Sequence, residues 1–393
     1  MRYRYSADKD GKLVKKASIY TREEHGINLA DVDIEAIDII RRLKKANYEA
    51  FIVGGAVRDL MLGKKPKDFD IVSSASPSKI KKIFRNSRII GKRFRLVHIF
   101  FGQRIFEVST FRSTKDGNIG NTFGTIDEDV LRRDFSMNAL FYDPEHEIIV
   151  DYVGGVKDIK NKEIKPIISL SDIFTDDPVR MIRAVKYSAM TDFSLPLKVV
   201  WKIKSQSKLL TSISPSRLTE EIYKIIHSVC PDLIIDLLDK MGLYFFIQPQ
   251  AAHLMRKDPV FKKNYLSRMA SLKGQEKYRG EAIGALFYDY LEANYDWQSM
   301  SGSPIENYKE IFRSARSFVL PMNPPRFEME HALRKFLAIR GITIKRTYLP
   351  VTSAKRKDSS GDSLSSAAEG AVSASAKRRR RRRKRRAKEA KTE

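Results

Sequence analysis

Apolar positions along the first part of the chain change period several times, and each change marks an element. Asp33 stands where a helix cap belongs, and Ala36, Ile37, Ile40 and Leu43 fall on one stripe, predicting a helix to about Ala46. Alternation and β-branched content predict strands at 50–53, 69–72, 95–101 and 104–109, with a helix at 77–86 between the second and third. These elements make a small α/β domain that closes near residue 155. From Pro178 onward the apolar spacing is helical, at 178–190, 217–229, 231–246 and 327–341, with Gly341 placed as a C-terminal cap. No repeat period links these segments. The chain therefore divides into an N-terminal extension (1–25), an α/β head (26–155), a helical neck (156–230), a helical body (231–350) and a tail (351–393).

Charge narrows the class of partner. The 393 residues carry 74 Lys+Arg against 48 Asp+Glu, a formal +26, which favours a polyanion and nucleic acid first. Residues 351–393 hold 15 basic and 5 acidic residues, including ten consecutive cations from Lys377 to Arg386, and the remaining 350 residues still carry +16. The tail is rich in Ser and Ala with little apolar bulk, so it is expected to be disordered and to grip phosphates in a salt-sensitive, sequence-independent way. A solubilising role is the alternative. The single cysteine, Cys230, excludes an intramolecular disulfide and any multi-cysteine metal site, and the six histidines form no ligand-spaced pair. With no apolar signal core at the N-terminus and no stretch of about 18 apolar residues, the expectation is a cytoplasmic protein with no membrane partner.

The sharpest chemistry lies in AFIVGGAVRDLMLGKKPKDFDIV, residues 50–72. Asp68 and Asp70 are two apart on a predicted strand, so both carboxylates face one spot while Phe69 and Ile71 face the core. Like charges that close repel unless a cation sits between them, and such oxygen ligands suit Mg²⁺ held together with substrate phosphates. Gly54 and Gly55 let the backbone approach a phosphate, and Arg58 and Asp59 follow in the next turn. Glu107 shares a strand face with Ile105 and Ser109 and either adds a third carboxylate or is a solvated strand residue. Asp177 and Pro178 start a helix on which Asp177 and Arg180 share a face, with Arg183 one turn on. His98, within LVHIFF, reads as a hydrogen-bonded core histidine.

GGAVRD followed by DFD resembles the nucleotidyltransferase head shared by tRNA CCA-adding enzymes and bacterial poly(A) polymerases, within the polymerase-β-like superfamily. RRDFSMNALFYD (132–143) is similar to that family's RRDFT-x-N-A-L motif, and DDPVRMIRA (176–184) to its E-D-x-x-R-x-x-R-A motif. The similarity covers roughly residues 20–230. It implies an α/β nucleotidyltransferase head followed by all-α neck and body domains. It also implies two-metal Mg²⁺ catalysis, with Asp68 and Asp70 as metal-holding acids and either Glu107 or Asp134 as the third; Asp134 is alternatively a cap paired with Arg132 or Arg133. Gly54, Gly55, Arg58, Asp59, Arg93, Arg133, Asn138, Asp177, Arg180 and Arg183 are the implied nucleotide-binding residues. Asp177 and Arg180 would present a template to the incoming base, and Arg183 would reach phosphate. Asp176 stands where the family usually has Glu, which points to looser base selection. No histidine precedes Asp176 or Asp177, which sets aside a phosphohydrolase of the His-Asp type.

RIIGKRFRLVHIFFG (88–102), TREEHGI (21–27) and GKKPKDFD (63–70) resemble bacterial poly(A) polymerases more than CCA-adding enzymes. Lys92, Arg93 and Arg95 would set cations beside triphosphate or primer, or else form a solvated edge-strand face. The expectation is a template-independent enzyme, a monomer, that adds AMP from ATP to RNA 3′ ends and promotes RNA decay, with RNA-decay proteins as possible partners. The alternatives are a CCA-adding tRNA nucleotidyltransferase and a noncatalytic RNA-binding scaffold.

Overall fold

The computed structural model describes residues 2–7, 12–91, 96–113, 122–274, 278–295 and 303–344; Arg93 and the basic tail lie outside the described residues. Nine strands form one sheet: β1 (Arg2–Ala7), β2 (Leu13–Tyr20), β3 (Ala50–Val53), β4 (Asp70–Ser73), β5 (Ser87–Ile90), β6 (Leu96–Phe101), β7 (Arg104–Thr110), β8 (Leu140–Asp143) and β9 (Ile148–Asp151). Their spatial order is β1-β2-β9-β8-β3-β4-β7-β6-β5, antiparallel throughout except where β4 runs parallel to β7.

The sheet buries its two faces unequally. On one face lie the helices Ile34–Lys45 and Pro77–Ile83, which join Ile52, Ile71, Val97, Ile99 and Val108 in the main core. The first helix starts as its sequence predicts, because the Asp33 carboxylate accepts the Glu35 amide at 2.9 Å, and its apolar stripe is fully buried. On the opposite face a smaller cluster gathers Phe51, Val53, Val72, Phe111, Ile126, Val130, Phe141 and Val150. Polar side chains that share this second face are left facing a cleft.

Three expectations are revised. Residues 1–25 do not stand apart from the head, because β1 and β2 form a hairpin whose inner strand pairs with β9. Most of the hairpin is exposed on both faces, and the alternation of Arg2, Tyr3, Arg4 and Tyr5 does not carry into β2. The helix expected at 77–86 stops at Ile83 and gives way to β5. The helix expected at 231–246 breaks at Gly242, whose φ of 77° ends one segment before Tyr244–Ile247 begins.

The chain continues into helices, several of which carry Pro in their first turn, as at Pro215, Pro231 and Pro259, where no amide hydrogen bond is lost. Helix Val179–Thr191 packs against Pro215–Ile226 and Pro231–Lys240, joining the neck to the body in one continuous core. Gly341 caps the last described helix as expected: it takes φ 77° and lets the Ile342 amide reach the Leu337 carbonyl at 3.0 Å. Among the described residues no helix is long and apolar enough to cross a membrane.

Candidate active site

β3 ends at Gly54, whose φ of 72° and ψ of −136° suit only glycine, and the chain turns there into the short helix Gly55–Met61. Val53 pairs with Asp70, so Gly54 and the start of β4 meet at the mouth of a cleft of about 590 Å³. The parallel register sets Ile71 opposite Val108, both in the main core, so Asp70 and Glu107 project from neighbouring strands onto the other face. Both line the cleft. Crowding by the cleft walls, the charge of Glu107 and the charge of Asp68 together push the Asp70 carboxyl up to about 6.

That upward shift is the physical test of a cation. A crowded carboxyl whose charge is disfavoured by burial and by neighbouring acids is what a divalent ion relieves, and hard oxygen donors are its preferred ligands. Asp68 acts on Asp70 through charge but lies outside the cleft lining. Among the described residues no three His, Cys, Asp or Glu side chains form a complete metal cluster. The donor set thus fits a cation whose remaining positions are filled by phosphate oxygens and water. Glu107 also accepts His98 Nε2 at 3.2 Å, so His98 belongs to the rim of this face rather than to the core.

A polar network supports the floor. Arg58 is buried; its guanidinium donates to Asp59 at 2.8 and 2.9 Å and to the Asn138 side-chain oxygen at 2.9 Å. Arg58 and Asp59 are therefore outside the cleft lining, and Arg58 reaches the site through Asn138 and through the Tyr187 ring, which its guanidinium faces at 5.4 Å. The Asp134 carboxylate accepts the Phe135 amide at 2.8 Å and faces Arg183 at 3.9 Å. It does not pair with Arg132 or Arg133. Both of those bind Asp129, a fully buried acid in the helix Ile126–Leu131 that sequence reasoning passed over. Burial opposes its charge, but Arg133 and Arg132 hold its carboxyl below the usual range. Asp129 thereby fixes two arginines that line the cleft.

The opposite wall comes from the neck. Asp177 lies just before the helix Val179–Thr191, accepts the Val179 amide at 3.2 Å, and pairs with Arg217 at 2.7 Å. The buried Arg180 donates to the carbonyls of Ile173 at 3.2 Å and Arg132 at 3.4 Å, which locks its orientation. Asp176 approaches Arg180 only to 3.9 Å, the short arm the sequence pointed to. Arg183 pairs with the buried Glu221 at 3.2 Å; burial works against its charge, but Glu221 and Asp134 together raise its pKa. Beside it, burial pushes Lys186 down to about 8.

The cleft thus gathers Gly54, Gly55, Asp70, Glu107, Arg133, Asp134, Asn138, Asp177, Arg180 and Arg183 from segments far apart in the chain. Arg112, Arg132, Tyr187 and Arg217 line it as well and were missed. Arg132 stood inside a quoted motif, and the pairing of Arg217 with Asp177 across 40 positions leaves no local signal. In the helical body Lys262, Arg268 and Lys335 are paired with Asp236, Asp289 and Glu281, and Arg334 donates to the Glu330 carbonyl.

Residues 50–165 match the family described as "Poly A polymerase head domain", and residues 192–255 the one described as "Probable RNA and SrmB- binding site of polymerase A". The chain is 41% identical over 229 residues to Poly(A) polymerase I of Escherichia coli O157:H7, covering 54% of this chain and 49% of that protein. It is 39% identical over 204 residues to the CCA-adding enzyme of Lactobacillus helveticus, covering 50% and 51%. The chain spans about half the length of these curated relatives. Among solved structures it is similar to the Bacillus stearothermophilus CCA-adding enzyme in complex with CTP, at a TM-score of 0.55 and 25% identity over 79% of this chain and 83% of that one.

Proposed function

We propose that this chain, which belongs to the nucleotidyltransferase family shared by poly(A) polymerases and CCA-adding enzymes, transfers AMP from ATP to RNA 3′ ends without a template. One observation carries the reading: Asp70 and Glu107 face a wall of arginines across a single cleft that head and neck build together. Acids on one side suit a metal-bound triphosphate and a hydroxyl to be activated; cations on the other suit the charge that develops at phosphorus.

In this reading Asp70 and Glu107, with Asp68 beside them, hold Mg²⁺, which when bound supplies charge neutralisation and a more acidic 3′ hydroxyl. Gly54 keeps side-chain bulk away from the phosphates. Arg132 and Arg133, held by Asp129, bind triphosphate oxygens from the head side. Asp177 and Arg180 orient the base edge, Arg180 being preorganised by two backbone carbonyls. Asn138, fixed by Arg58, supports Asp134 at the floor. Positioning and electrostatics do most of the work in such a transfer, and the preformed network supplies both.

CCA addition is the second reading, favoured by the likeness to the L. helveticus and B. stearothermophilus enzymes. Primer and nucleotide choice separate the two: a poly(A) polymerase extends a generic RNA with ATP, and a CCA-adding enzyme completes only tRNA and then stops.

A further inference from the structure

The helix Val179–Thr191 sends Arg180, Arg183 and Tyr187 to the wall of the cleft. Tyr187 stands seven residues after Arg180, which is two turns along the same helix face and about 10 Å further down its axis. Both arginines have a partner that explains their place; the tyrosine hydroxyl has none. The ring itself is fixed. Phe135 meets it edge-on at 6.0 Å, and the Arg58 guanidinium and Lys186 ammonium lie over it at 5.4 and 5.0 Å.

Among the described residues the Tyr187 hydroxyl makes no hydrogen bond. The hydroxyls of Tyr142 and Tyr308 are unpaired too, but they are sealed from solvent. Tyr187 is half-buried and lines the cleft. Other packed tyrosines find partners: Tyr244 bonds Tyr265 and Gln248, and Tyr288 donates to the Ala332 carbonyl at 2.8 Å. Burial first, and then the charge of Asp134, raise the pKa of the Tyr187 phenol, so it remains a neutral donor at working pH.

The surroundings select what this donor can meet. The polar groups of the floor are committed: Asn138 to Arg58 and Asp134, Asp134 to the Phe135 amide, and Arg183 to Glu221. A phosphate at the phenol would also feel the Asp134 carboxylate and be repelled. A sugar hydroxyl both donates and accepts, so it suits an acid and a phenol together. Position favours the same group. With the base edge on Asp177 and Arg180 and the triphosphate on Arg132 and Arg133, the ribose is the part of the nucleotide that lies between them.

We propose that Tyr187 is a specificity-determining residue whose hydroxyl donates to a ribose hydroxyl of the incoming nucleotide, so that the cleft prefers ribonucleotides to their deoxy analogues. The inference rests on the reading of this cleft as a nucleotide site. A deoxy analogue leaves the phenol unpaired in a half-buried place, which is the kind of loss that discriminates strongly.

The test compares full-length wild type with Tyr187→Phe, which keeps the ring and removes only the donor. Values of kcat/KM are measured for ATP, 2′-deoxy-ATP and 3′-deoxy-ATP on a saturating RNA primer. The preference of wild type for ATP over one of the two analogues should fall about tenfold in the variant, through loss on ATP while that analogue is used as before. A variant that uses all three nucleotides less well by one common factor, as a structural role predicts, would overturn the proposal, and so would unchanged ratios. If wild type adds no nucleotide to any primer, the functional reading fails. The same ratios, read as dissociation constants by calorimetric titration with Mg²⁺, then decide the role of Tyr187.

Discussion

Replacing Asp70 by Asn tests whether the acids of the cleft are a like-charge cluster built for a cation. Its carboxyl is moved from the ordinary 3.8 to about 6. A shift of that size corresponds to about 3 kcal/mol against the charged form. The group opens to solvent in the cleft, so screening leaves on the order of 1 kcal/mol. A carboxyl that titrates higher when folded binds its proton more tightly in the folded state, so stability falls as pH rises from about 4 to about 6 and the penalty is fully present above that. Asp70→Asn removes the penalty. Denaturant unfolding without divalent metal should find the variant about 1 kcal/mol more stable than wild type near neutral pH and equal to it near pH 4. Magnesium should narrow the neutral-pH gap by binding the wild-type folded state. The same variant should be inactive in nucleotide addition. A variant no more stable at neutral pH, or a gap that ignores pH, would refute the electrostatic account.

Other expected outcomes follow from particular contacts. Asp129→Asn leaves Arg132 and Arg133 without their buried partner; unfolding experiments should show a loss of about 3 kcal/mol, and the KM for ATP should rise. Asp68→Ala should abolish nucleotide addition while RNA binding in a gel-shift assay is nearly unchanged, since the acid serves metal rather than polymer. Asp176→Glu, which extends the arm that now stops 3.9 Å from Arg180, should sharpen the preference for ATP over CTP, read as the ratio of kcat/KM values. Removing residues 351–393 should weaken RNA binding and flatten its salt dependence without abolishing addition to a saturating primer.

What was legible in the sequence were features with local signatures. Gly54 with the Asp68 and Asp70 pair, and the motifs around Asp134 and Asp177, each lie within a few residues, and the structure brings most of them to one cleft. The Asp33 cap and the Gly341 terminus were readable for the same reason. Asp129 was not, because a buried acid whose partners lie three and four residues on looks like any polar helix position until the fold buries it. Arg217 and Glu221 act on Asp177 and Arg183 from another helix, a relation no spacing rule encodes. Arg58 was given to the nucleotide because it follows the Gly-Gly turn, but its helix aims it inward at Asn138. The β1–β2 hairpin escaped because a ribbon largely open to water on both faces carries no sustained alternation: Arg2 to Tyr5 alternate, but β2 does not.

The most direct test of the central claim is nucleotide addition by the purified full chain with Mg²⁺, offered a generic RNA primer or a tRNA lacking its CCA end, with ATP or CTP, and products resolved by length. Long extension of the generic primer with ATP alone is the predicted result. Addition that occurs only on the tRNA and stops after CCA, or no addition with either nucleotide, would contradict it.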